Sequence, residues 1–84
     1  MLNVSQEEML RNLEEEYEDA CKYAKLSKEE WGKGNKGNAQ IYKDMAKEEY
    51  THGEHLKNMM HAEGIEIPEK YMEKREYTKK ELWM

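Results

Sequence analysis

From Leu10 to Trp31 the apolar residues Leu10, Leu13, Tyr17, Ala20, Ala24 and Trp31 fall three, four or seven positions apart, the repeat of one α-helical face. Neither Gly nor Pro interrupts the chain between Gln6 and Trp31. Ser5-Gln6-Glu7-Glu8 has the form of a capping box, in which hydroxyl and carboxylate each satisfy a free backbone amide, so a first helix is expected over about 6–31. The run Gly32-Lys33-Gly34-Asn35-Lys36-Gly37 holds three of the five glycines in polar sequence and predicts a six-residue loop. A second helix over about 38–63, capped by Asn38 or Asn35, carries Ile41, Met45, Leu56 and Met59 at helical spacing. Gly64 supplies a left-handed stop, and Ile65 can fold back as the apolar contact of that cap.

Pro68 suits a first helical turn, so the C-terminal segment 68–84 is expected to form either a short third helix from Glu69 to about Lys80 or an arm around a neighbouring subunit. Val and Ile are few and no run alternates apolar with polar, which leaves no strand signal. The two long helices have about 25 residues each, hence lengths of roughly 38 Å. Matched amphipathic helices on a short loop make an antiparallel hairpin, and a lone hairpin leaves much of its apolar stripes in water. The fold expected is all-α: one half-bundle domain over 1–84 that dimerises into a four-helix bundle.

Composition strengthens the case for an added stabiliser. A chain of 84 residues buries only about 60% of the surface its unfolded form exposes. Cys21 is the only cysteine, which excludes an intrachain disulfide and leaves oligomerisation or a bound metal. The net charge of −5, without a basic stripe, sets nucleic acid aside as a partner. No apolar stretch approaches the roughly 20 residues of a membrane span, and Met1-Leu2-Asn3-Val4 leads into polar sequence without a signal-peptide block. A soluble cytoplasmic protein is expected.

On a wheel at 100° per residue, Ile41, Met45, His52, Leu56 and Met59 fall within about 60° of one another, which puts His52 in the apolar stripe of helix 2. Glu48 and Glu49 flank it, and Glu49-Tyr50-Thr51-His52 sets a carboxylate and an imidazole three residues apart on one face, a spacing that can ligate metal. Glu-x-x-His also arises by chance in a chain this rich in glutamate. Helix 1 adds Glu16, near one edge of the face Leu13, Glu16, Ala20, Ala24, Ser27 and Trp31, with Tyr17 beyond the other edge. One inward carboxylate facing a Glu-x-x-His helix is the donor set of a di-metal carboxylate bundle. Taken singly, each of Glu14, Glu15, Glu16 and Glu18 reads as part of a solvated acidic patch.

Glu16 with Tyr23 on helix 1, and Ile41-Tyr42-Lys43-Asp44-Met45-Ala46-Lys47-Glu48-Glu49-Tyr50-Thr51-His52-Gly53-Glu54-His55-Leu56 on helix 2, resemble the ferritin-like superfamily. The resemblance is strongest to rubrerythrin-type domains and two-helix encapsulated ferritins, and covers Leu10 to about Gly64. It implies metal ligands Glu16, Glu49 and His52 from each subunit, Glu49 bridging, in a site assembled across a homodimer. It also implies a di-iron or di-manganese cofactor, ferroxidase or peroxide-reducing activity, and an encapsulating shell or a redox partner. Asp19 stands where such proteins often have a small residue. Carboxylate oxygens with one imidazole per metal suit iron or manganese, and the lack of inward thiolates argues against structural zinc. The competing expectations are a metal-free helical dimerisation or interaction module, and an adaptor that contacts another protein through the segment from Pro68. His55 reads as solvent-facing, Tyr23 and Tyr50 as interface packing, the methionines as core filler and Cys21 as a small buried hydrophobe.

Overall fold

The computed structural model describes residues 4–83; the stretch 1–3, read above as leading into polar sequence, and Met84 lie outside the described residues. Helix α1 spans Val4–Gly32 and α2 spans Lys36–Ala62; a 3-10 turn at Glu69–Tyr71 precedes α3, Glu73–Trp83. The described residues contain no strand. The body measures 49 × 19 × 18 Å, so α1, at 29 residues and roughly 43 Å, runs nearly its full length.

Ser5 lies inside α1, which already begins at Val4, so the expected capping box does not form the helix start. The loop is shorter than its glycines suggest: Gly32 and Gly37 join the helices and the turn is Lys33-Gly34-Asn35, with Gly34 at φ +84°. Asn35 precedes α2, but its side-chain amide donates to Glu30 Oε2 at 2.8 Å instead of capping a backbone amide. At the far end the Gly64 N–H donates to the His61 carbonyl at 3.0 Å and the Ile65 N–H to the Met60 carbonyl at 2.9 Å, a Schellman closure with Gly64 at φ +74° and Ile65 buried.

The α1 core residues are Leu10, Leu13, Tyr17, Ala20, Cys21 and Ala24. Against them α2 presents Ala39, Ala46, Tyr50, Gly53 and Met60. That is a different face from the expected stripe of Ile41, Met45, His52, Leu56 and Met59; at 100° per residue the two faces are centred about 115° apart. Ile41 is 59% exposed and Met59 53% exposed, and Trp31 at the end of α1 also faces out. The reason is size: small residues at 39, 46 and 53 let the helices approach, and a Cβ on Gly53 would stand 2.6 Å from Cε1 of the fully buried Tyr17.

The C-terminal segment folds onto its own hairpin, more against α1 than α2. Leu82 enters the core, and Thr78 is buried with its hydroxyl donating to the Lys74 carbonyl at 2.7 Å. Part of the hairpin's apolar surface is therefore covered within one chain, while the Ile41–Met59 face of α2 is left open. Met72 separates the 3-10 turn from α3, so the expected helix from Glu69 is broken after one turn and continues to Trp83.

Candidate metal centre

The close α1–α2 approach at Tyr17 and Gly53 brings the neighbouring residues Glu16 and His52 to the same level of the seam. Glu16 Oε2 lies 3.6 Å from His52 Nδ1, and Glu49 Oε1 lies 4.0 Å from the same nitrogen. One ligand atom from each of the three residues falls within 4.8 Å of the others. All three site residues expected from the sequence are thus together, two from one helix turn and one from the facing helix.

Their burial differs from the expectation. His52 is not a core residue of the single chain; its side chain is 56% exposed, on the edge of the open α2 face. Glu16 and Glu49 are half-buried beneath it. Glu16 Oε2 is itself buried and has no hydrogen-bond partner. Burial, then the facing Glu49 carboxylate, raise the Glu16 carboxyl from the usual 4.5 to about 7, with Asp19 adding to the rise and His52 opposing it. A buried acceptor without a donor costs free energy, and a bound cation is one group that would satisfy it. The donor set fits a hard divalent metal on this observation: two carboxylates and one imidazole, converging. No protein-family model, curated protein or solved structure matches this chain.

His55 faces solvent and lines an open cleft with Asn12, Glu15, Glu16, His52 and Leu56. Tyr23 stacks on Tyr42 at a centroid distance of 6.3 Å, and Tyr50 packs between Tyr17 and Trp83. Tyr17, which belongs to the apolar repeat of helix 1 but was placed beyond the edge of the face that carries Glu16, is fully buried and donates its hydroxyl to Glu54 Oε1 at 3.0 Å.

Beside the cluster stands a polar network that the sequence reading did not single out. Arg75 of α3 reaches Glu54 of α2 through Nε at 2.6 Å and Nη2 at 3.4 Å, and Lys57 Nζ adds a contact at 2.9 Å. Burial alone would raise the Glu54 carboxyl, but hydrogen bonds from Arg75, Lys57 and Tyr17 outweigh it and hold the group at about 2. The available signal was thin: Arg75 is one of two arginines, and Glu54 sits beside Gly53 on the inner face. This network docks α3 and fixes the partner of Tyr17. Among the described residues, no helix is long and apolar enough to cross a membrane.

Proposed function

We propose that this chain is a di-iron or di-manganese carboxylate protein whose centre is completed by a second copy of itself, and that it oxidises ferrous iron or reduces peroxide. The observation that carries the reading is the buried Glu16 Oε2, which has no hydrogen-bond donor, converging with Glu49 and His52. Glu16 and Glu49 would bind through oxygen and His52 through its imidazole, and a redox-active metal held there supplies one-electron steps to an oxidant. Glu49 takes the bridging role by the resemblance described above. Three side-chain donors leave an ion short of a full coordination sphere, and a second set from a partner supplies the remainder.

The open face of α2 supports the dimer. Ile41 and Met59 are exposed large apolar side chains, and His52 lies in the same stripe, so a partner on this face would also enclose the cluster. A four-helix ferritin-like bundle in the cytoplasm, with iron as the first candidate metal, is the resulting proposal.

The test is elemental analysis of protein purified without chelator, followed by ferrous oxidation assays on wild type, Glu16→Ala, Glu49→Ala and His52→Ala. The wild type should hold close to one iron or manganese per chain and outpace buffer, and each variant should lose most of the rate. A metal-free wild type that oxidises iron no faster than buffer would overturn the reading and leave a helical dimerisation module, for which the exposed α2 face would remain the argument.

A further inference from the structure

A cavity of about 380 Å³ lies toward the turn end of the hairpin, where the last residues of α3 meet the α1–α2 seam. It shares no lining residue with the cleft at the candidate metal centre. Buried Leu82 and the ion pair between Glu81 of α3 and Lys28 of α1, at 3.0 Å, bound it on one side. Ala24 and Ala39, one from each long helix and both buried, form its base. Alanines there fill little of the space above the seam. Trp31, 63% exposed, lines the cavity as well. The volume is that of a site for one small organic molecule.

The polar lining selects the charge of an occupant. Ser27 spends its one O–H on the Ala39 carbonyl at 2.7 Å, Gln40 donates to Asp44 Oδ1 at 2.9 Å, and Lys28 is neutralised by Glu81. Lys43 differs from these. It is half-buried at the cavity, and no carboxylate among the described residues lies within ion-pair distance of it. An ammonium drawn partly out of water without a counter-ion is unfavourable, and an anion beside it relieves the cost. Lys36 Nζ, 5.6 Å from the centroid of the Trp31 indole, adds a second cation to this end of the cavity. The indole in turn selects the body of the occupant. A planar ring laid against it removes apolar area of both from water and adds the ring–ring attraction that an alkyl chain lacks.

We propose that this cavity binds a small aromatic acid, its ring against Trp31 and the alanine base and its carboxylate, sulfonate or phosphate on Lys43. Charge and shape argue for that occupant together: a half-buried cation without a counter-ion, beside an apolar base and an exposed indole. The site stands apart from the Glu16–Glu49–His52 cluster and is indifferent to whether that cluster holds metal.

Binding is measured on the full-length chain by titration calorimetry and by proton–nitrogen correlation spectra. Naphthoate, benzoate and phenyl phosphate are the acids; naphthalene carboxamide and octanoate are the comparisons. Naphthoate should bind once per chain with a Kd below about 1 mM, and its shifts should gather on the Trp31 indole N–H and the amides of Ala24, Ala39 and Lys43. The carboxamide keeps the shape without the charge and should bind about tenfold more weakly, the usual loss of a charge-assisted hydrogen bond. Lys43→Met should lose the same factor, and Lys43→Arg should restore it. Trp31→Ala should weaken naphthoate and leave the helix signal intact, since the indole is exposed. Octanoate binding as tightly as naphthoate would overturn the aromatic assignment. The site itself would be overturned if none of the three acids bound saturably, if Lys43→Met bound naphthoate as the wild type does, or if the shifts centred on His52, Leu56 and Met59.

Discussion

Replacing Glu16 with Gln should stabilise the metal-free protein and do so in a pH-dependent way. The carboxyl is held at about 7 instead of the usual 4.5, first by burial and then by Glu49. Below pH 4.5 it is protonated in the folded and the unfolded chain, and the substitution removes no charge. Between 4.5 and about 7 the unfolded chain ionises while the folded chain keeps its proton, so wild-type stability falls as pH rises. Above about 7 the full cost of the ionised group, buried beside Glu49, is present. That perturbation corresponds to at most about 3.4 kcal/mol. Water reaches 28% of the side chain, and screening reduces the cost to on the order of 1–2 kcal/mol. For a chain of this size that is a melting-temperature gain of roughly 4–16 °C. The assay is thermal melting followed by circular dichroism in chelator, on either side of the window from 4.5 to about 7. Glu16→Gln minus wild type should be near zero on the acid side and reach its full value on the alkaline side. With manganese added, the wild type should gain stability and Glu16→Gln should gain much less, since a ligand that binds the folded state alone stabilises it. A difference that is flat with pH, or a variant less stable than wild type above the window, would refute the account of a strained carboxylate.

Gly53→Ala should cost about 1–3 kcal/mol in a denaturant melt, because the added Cβ meets the buried Tyr17 ring and the helices must part at the level of Glu16 and His52; an unchanged midpoint would contradict the close approach. Stability should fall with acid between 4.5 and about 2 as Glu54 is protonated and releases Arg75, and Arg75→Met should flatten that part of the profile while costing about 1–3 kcal/mol at neutral pH. Ile41→Asp with Met59→Asp should convert a dimer to a monomer in sedimentation without loss of helix signal, since both side chains already face outward in the single chain; persistence of the dimer would place the interface elsewhere.

Features decided within one or two helix turns were readable from the sequence. Glu49 and His52 stand three residues apart on one helix, so their convergence needs only helical geometry, whereas periodicity put Glu16 no further than near one edge of the helix 1 face. The Gly64–Ile65 closure was readable for the same reason, its hydrogen bonds spanning five residues at most. Tertiary structure decided which face of α2 is the core. Counting large apolar residues favours Ile41, Met45, Leu56 and Met59, yet close packing selects the small residues Ala39, Ala46 and Gly53, through which the backbones approach. That choice moved His52 from the core to the edge of an open face, and only the docked helices show it. The Glu54–Arg75 pair and the Tyr17–Tyr50–Trp83 series join residues of different helices, 21 residues apart in the first case. No local pattern announces such contacts, because neither partner's conformation depends on the other until the helices meet.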